Sequence, residues 1–110
     1  MGTVLPFPSA VPGGQARQIS FERAELKRIV DLYGRMVAAG LWKDYAIEFA
    51  PGAAAFQAFR RAAERPEYRI EKRQGQWALI GESGQMLKRA PALGPILAPI
   101  ERRLLKVVAN

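Results

Sequence analysis

The stretch from Leu32 to Phe49, LYGRMVAAGLWKDYAIEF, decides the fold. Its first half keeps helical spacing and its second half alternates. Gly40 stands between them, and glycine enters the left-handed turn that ends a helix without steric cost. Trp42 follows the stop and is expected to fold back under the helix. Tyr45, Ile47 and Phe49 then alternate with Ala46 and Glu48, the pattern of a half-buried strand. Upstream, Leu26, Ile29, Val30, Tyr33, Met36 and Val37 recur on one face, with Lys27, Arg28, Asp31 and Arg35 opposite. This predicts an amphipathic helix over 23–39. Ser20 or Glu22 is expected to cap it, with Glu25 in the first turn at the positive end of the dipole. Gly34 lies inside the helix at a cost of ~1 kcal/mol relative to alanine, a place where another element can approach closely.

Downstream the punctuation is dense. Ala50-Pro51-Gly52-Ala53 predicts a turn, and Ala54 to Arg60 a returning strand around Phe56 and Phe59. Alanine richness also allows Ala54–Ala63 to be drawn as a helix; the short turn before it favours a strand. After a loop over 61–66, Glu67 to Arg73 alternates Tyr68, Ile70 and Lys72 against Arg69, Glu71 and Arg73. Gln74-Gly75 closes a tight hairpin onto Trp77-Ala78-Leu79-Ile80, and Ser83-Gly84 turns into Met86-Leu87-Lys88. The final segment places Leu93, Ile96, Leu97, Ile100, Leu104, Val107 and Val108 at helical spacing, with Arg102, Arg103 and Lys106 off the stripe. Pro95 suits a first turn. Pro99 in a helix interior costs ~3 kcal/mol, so the expectation is a short turn over 92–97 followed by helix to Val108, or a kink at Pro99.

These elements predict an α+β fold. It is an antiparallel meander of four or five strands with two helices packed on one face, in the order α-β-β-β-β-α. The expected domain spans 19–108, preceded by an arm over 1–18 whose Pro6, Pro8, Pro12, Gly13 and Gly14 argue against packed structure. The expected core is Leu26, Ile29, Val30, Tyr33, Val37, Trp42, Ile47, Phe49, Phe56, Ile70, Leu79, Ile100 and Leu104. The opposite sheet face is expected to carry Glu48, Arg69, Glu71, Arg73, Ala78 and Ile80 as a mixed polar surface.

The chain resembles a small bacterial family catalogued as domain of unknown function 2794. The residues that carry the resemblance are Phe21-Glu22-Arg23, Glu25-Leu26, Leu32 to Gly40 and Trp42 to Ile47. Further on they are Phe59-Arg60-Arg61, Tyr68 to Lys72 and Leu87-Lys88-Arg89. It extends over about residues 19 to 108. It implies no activity, cofactor or partner. The chain departs from the family pattern at Pro95 and Pro99, where that pattern runs as an uninterrupted charged helix.

Composition narrows the chemistry. The 110 residues suffice for one domain with one modest core. There is no cysteine, which excludes disulfides and thiol chemistry, and no histidine, which removes the commonest general base and metal ligand. Carboxylates, lysine and tyrosine remain, so no catalytic residue, cofactor or metal is expected and the chain does not read as an enzyme. No apolar run approaches the ~20 residues of a membrane span. The uncharged start MGTVLPFPSAVPGG lacks the basic region of a secretory signal, so the expected location is the cytoplasm.

The formal net charge of +7 favours polyanionic partners. The candidate polyanion-binding residues are Arg60, Arg61, Arg65, Arg69, Lys72 and Arg73, interleaved with Tyr68 and followed by Trp77; arginine forks suit phosphate and an aromatic can stack a base. Glu64, Glu67 and Glu71 share the segment, and pairing with them makes an ordinary solvated face. Helix, strands and helix also resemble double-stranded RNA-binding modules at the level of fold alone. The place of their lysine cluster is held here by Ala92-Leu93-Gly94-Pro95. Asp44 reads as a turn carboxylate or as an acid beside Tyr33, Arg35 and Tyr45.

Two functional classes therefore stand. One is a non-catalytic interaction module that self-associates through the C-terminal helix, apolar at Leu104, Leu105, Val107 and Val108, or through a sheet edge. The other is a nucleic-acid-binding protein using its arginines. They differ in whether the basic residues form one patch free of interposed carboxylates.

Overall fold

The computed structural model of the protein describes residues 18–108. The arm expected over 1–18 lies outside the described residues, except for Gln18. The order is α1 (Arg23–Ala38), β1 (Asp44–Ala50), β2 (Ala53–Phe59), β3 (Tyr68–Arg73), β4 (Gln76–Gly81), β5 (Met86–Ala90) and α2 (Leu93–Val108). The five strands form one antiparallel meander in the spatial order β1-β2-β3-β4-β5. The expected α+β class and helix-sheet-helix order hold, with five strands. The alanine-rich segment 53–59 is a strand, paired with β1 on one side and β3 on the other.

Local chemistry accounts for the boundaries. Glu22 is the N-cap of α1, and its amide donates to Glu25 Oε1 at 2.8 Å, half of a capping box. Gly40, at φ 78°, ends the helix, and Leu41 N–H donates to Met36 O at 2.9 Å. Gly75, at φ 69°, closes the β3–β4 hairpin.

The helix α2 begins at Leu93 and is continuous through Pro99 to Val108. The turn expected over 92–97 is therefore helix. Pro95 sits in the first turn, where its missing N–H is no loss. Pro99 cannot donate to the Pro95 carbonyl one turn back. Burial of Leu93, Ile96, Leu97, Ile100 and Leu104 on both sides of it offsets that missing bond. Val107 and Val108, expected on the same stripe, are exposed.

The core lies between the helices and one sheet face. It contains Ile29, Leu32, Met36, Trp42, Phe56, Ile70, Trp77, Leu79, Leu93, Ile96, Leu97, Ile100 and Leu104. Leu26 and Tyr33 are partly buried against it. Four residues of the expected core are instead exposed: Val30, Val37, Ile47 and Phe49. Coverage explains why. Two helices, each about 10 Å across, cover about four strands at about 4.8 Å spacing. The turn after β5 sets α2 over β5 and β4. The start of α1 is fixed where Phe21 stacks on Trp77 and Lys72 bonds Glu25, and its middle sits where Tyr33 meets Phe56. Neither helix spans β1, which Tyr33 touches at Tyr45 and which is exposed along most of its length.

Candidate functional site

The six candidate polyanion-binding residues fall on three different surfaces. Arg69 and Arg73 project from the sheet face that carries no helix. Lys72 projects from the helix-bearing face, 5.6 Å from the Trp77 ring centroid, and its Nζ reaches Glu25 Oε1 at 2.6 Å and Ser20 O at 3.0 Å. Arg60, Arg61 and Arg65 belong to the loop between β2 and β3. Arg60 bonds Glu82 Oε1 at 2.6 Å and approaches Glu67 Oε2 at 3.9 Å. Carboxylates thus engage four of the six. Among the described residues, no ion pair or hydrogen bond engages the side chains of Arg61 or Arg65. Arg60, Arg61 and Arg103, with Gly40 and Leu41, line an open depression of about 570 Å³.

On the helix-free face the charges form a lattice. Arg69 pairs with Glu48 on β1 at 2.5 Å and with Glu71 on its own strand at 3.3 Å, and Glu71 also accepts from Arg73 Nε at 3.1 Å. Burial opposes the Arg69 charge, but its bonds to Glu48 and Glu71 outweigh that and raise its pKa above the ordinary guanidinium value. The sheet register makes the lattice a roof. Ala55 lies directly between Glu48 and Glu71. Arg69, by joining those two carboxylates, closes over it and leaves Ala55 fully buried on a face without a helix.

Glu67, which in the sequence stands out only as a possible partner for the nearby arginines, is a junction. It accepts from Trp42 Nε1 at 2.8 Å and from Arg103 Nη1 of α2 at 3.0 Å. It ties the turn after α1, the β2–β3 loop and α2 together at one end of the sheet. Nothing local signals this, because the partners lie 25 residues before it and 36 after it (103 − 67). Arg103 is likewise raised in pKa: burial opposes its charge, and Glu67 and Tyr68 outweigh it.

Asp44 accepts from the Tyr45 amide at 2.9 Å, a local bond of the turn type. Burial, reinforced by Asp44 and Tyr45, raises the Tyr33 phenol above its ordinary pKa. Among the described residues no cluster of three or more acidic groups is placed to hold a metal ion. No helix among them is long and apolar enough to cross a membrane.

The remaining feature is apolar. Register puts Tyr45, Ile47 and Phe49 on the helix-bearing face, in line with Ala58, Phe56 and Ala54 of β2. These three are 48%, 37% and 56% exposed. Tyr45 lies flat on Phe56, with 5.1 Å between centroids, and meets the edge of Tyr33 at 5.0 Å. The Tyr33 contact fixes which flank of α1 looks toward β1. Val30 and Val37 share that flank, being three and four residues from Tyr33, and are 42% and 39% exposed. That flank of α1 and the outward face of β1 bound the α1/β1 groove, with Tyr33 against Tyr45 as the contact that joins them. The sequence pattern assigns four of these five exposed residues, Val30, Val37, Ile47 and Phe49, to the core, and places Tyr45 on the same alternating strand.

The family model described as Protein of unknown function (DUF2794) matches residues 19–97. The chain belongs to this family. The match takes in α1, all five strands and the first part of α2, and stops two residues before Pro99. No curated protein and no solved structure matches the chain. Both the groove and the charge lattice lie within the span that defines the family.

Proposed function

We propose that this member of the family is a non-catalytic interaction module whose contact surface is the groove between α1 and β1. The observation that carries this reading is the exposure of Tyr45, Ile47 and Phe49 along one face of a strand that, among the described residues, pairs on one side only, with exposed Val30 and Val37 on the flank of α1 turned toward it. Single exposed apolar residues are ordinary, whereas a contiguous patch next to unpaired strand amides marks a docking surface. The β1 edge supplies main-chain hydrogen bonds and the groove supplies pockets for alternate side chains, the two parts of recognition by strand addition.

A photo-crosslinking amino acid at Phe49 tests this in cells. Covalent adducts are expected from position 49 and not from the same group placed at Ser83, in the β4–β5 turn. A folded protein that crosslinks to nothing from position 49 would overturn the reading.

The nucleic-acid reading has Arg61 and Arg65 in its support. Carboxylates on Arg60, Arg69, Lys72 and Arg73 weigh against it, because each occupies a charge that phosphate would need.

A further inference from the structure

We infer that the occupant of the α1/β1 groove is a second copy of this chain, joined β1 to β1 across a two-fold axis at Ile47. The inference rests on the groove being a contact surface and names its partner.

The β1 sequence is self-complementary in one antiparallel register. Centring the pair on Ile47 places Tyr45 opposite Phe49 of the other copy, twice, on the helix-bearing face. Cross-strand aromatic pairs of this kind favour the sheet. On the other face the same register places Glu48 opposite Ala46, so no two like charges stand directly opposite each other. Glu48 is also drawn away from the edge: Arg69, two strands inward, holds its carboxylate, and Gln57 Nε2 approaches it at 3.4 Å. The outcome is one continuous ten-stranded sheet with four helices on one side. The two α1 helices then wall a shared groove, filled by Tyr45, Ile47 and Phe49 of both copies and closed by Val30 and Val37 of both. Such an interface is isologous, the commonest arrangement in soluble oligomers.

The other exposed apolar surfaces fit less well. On α2, Leu105 and Val108 share one flank and Val107 lies across the buried Leu104 stripe, but a helix offers no unpaired main-chain amides. Met86 and Leu87 are exposed at the start of β5, beside its irregular pairing with β4. Chemistry also separates a second copy from an unrelated peptide. A second copy brings an aromatic opposite both Tyr45 and Phe49 in one register, by symmetry.

The test uses the purified full chain. Sedimentation velocity over a micromolar to high-micromolar range is expected to show a dimer. Ile47→Lys and Phe49→Lys should each weaken it by at least about tenfold, because a charge on an edge strand blocks pairing. Leu105→Lys should leave it unchanged. Circular dichroism checks folding, and Phe49→Lys carries the test should Ile47→Lys fail to fold. The chain has no native cysteine, so Ile47→Cys reports the register directly. Mild oxidation should give a disulfide-linked dimer from Ile47→Cys and little from Phe49→Cys, whose opposite residue is Tyr45. A parent chain that stays monomeric at high micromolar concentration would overturn the inference, as would a dimer broken by Leu105→Lys and not by the β1 variants. If the parent is monomeric but position 49 crosslinks to a different polypeptide, the second copy falls and the groove stands. If it is monomeric and position 49 crosslinks to nothing, both fall.

Discussion

The two edges of the sheet are built differently. Strand β5 is five residues long, carries Lys88 and Arg89, and pairs with β4 through an irregularity at Leu79/Ile80. It also leads directly into α2, which packs over it. These are the usual devices that keep an edge from pairing with another chain. Strand β1 carries charges as well, Asp44 and Glu48, but it has neither the short length, nor the irregularity, nor a helix packed over it. It is seven residues long and pairs with β2 in unbroken register from Asp44–Phe59 to Ala50–Ala53. Three large apolar side chains face outward on its helix side. A protein that protects one edge this thoroughly and leaves the other flat and apolar treats them as different surfaces.

The largest expected effect separates the covered edge from the bare one. Ile100 of α2 is fully buried, and Ile100→Ala should destabilise by about 2–5 kcal/mol. Ile47→Ala on β1, measured by urea unfolding of the monomer, should stay within about 0.5 kcal/mol. Comparable losses at both positions would erase the distinction between the edges.

An intermediate effect is expected where β1 is tied to the sheet by charge. Glu71→Ala leaves Arg69 and Arg73 without a shared acceptor and opens the roof over Ala55. The loss should be about 1.5–3 kcal/mol, the range for hydrogen bonds to charged groups. A loss below about 0.5 kcal/mol, the level of an ordinary exposed site, would show that the lattice contributes nothing beyond a solvated surface.

The smallest effect sharpens the account of the groove wall. A Cβ added at Gly34 meets nothing within 4 Å. Gly34→Ala should therefore stabilise α1 by up to about 1 kcal/mol, the propensity difference alone. A decrease in the melting temperature would mean that another element closes on α1 at that point.

Local signals in the sequence determined the elements. Gly40, Pro51-Gly52, Gln74-Gly75 and Ser83-Gly84 act through backbone conformation within a few residues, so their positions place the turns without knowledge of the rest. Period also decided which residues share a face: Tyr45, Ile47 and Phe49 do lie together, as do Glu48, Arg69, Glu71 and Arg73. The same local physics misjudged α2, because proline's cost inside a helix is local and the burial that offsets it is not.

Tertiary structure alone decided which shared faces are covered. Val30, Val37, Ile47 and Phe49 carry the pattern of core residues, and pattern cannot count how many strands two helices span. Five strands outrun two helices, and the β5–α2 connection together with the Phe21–Trp77 anchor puts the shortfall at β1. The fate of the arginines is equally non-local. A guanidinium is free or paired according to which carboxylate the fold brings to it, and Glu48, Glu67 and Glu82 reach Arg69, Arg103 and Arg60 from 21 to 36 residues away. Sequence named the ingredients of the groove and of the lattice, and the packing of two helices on five strands made one a surface and the other a roof.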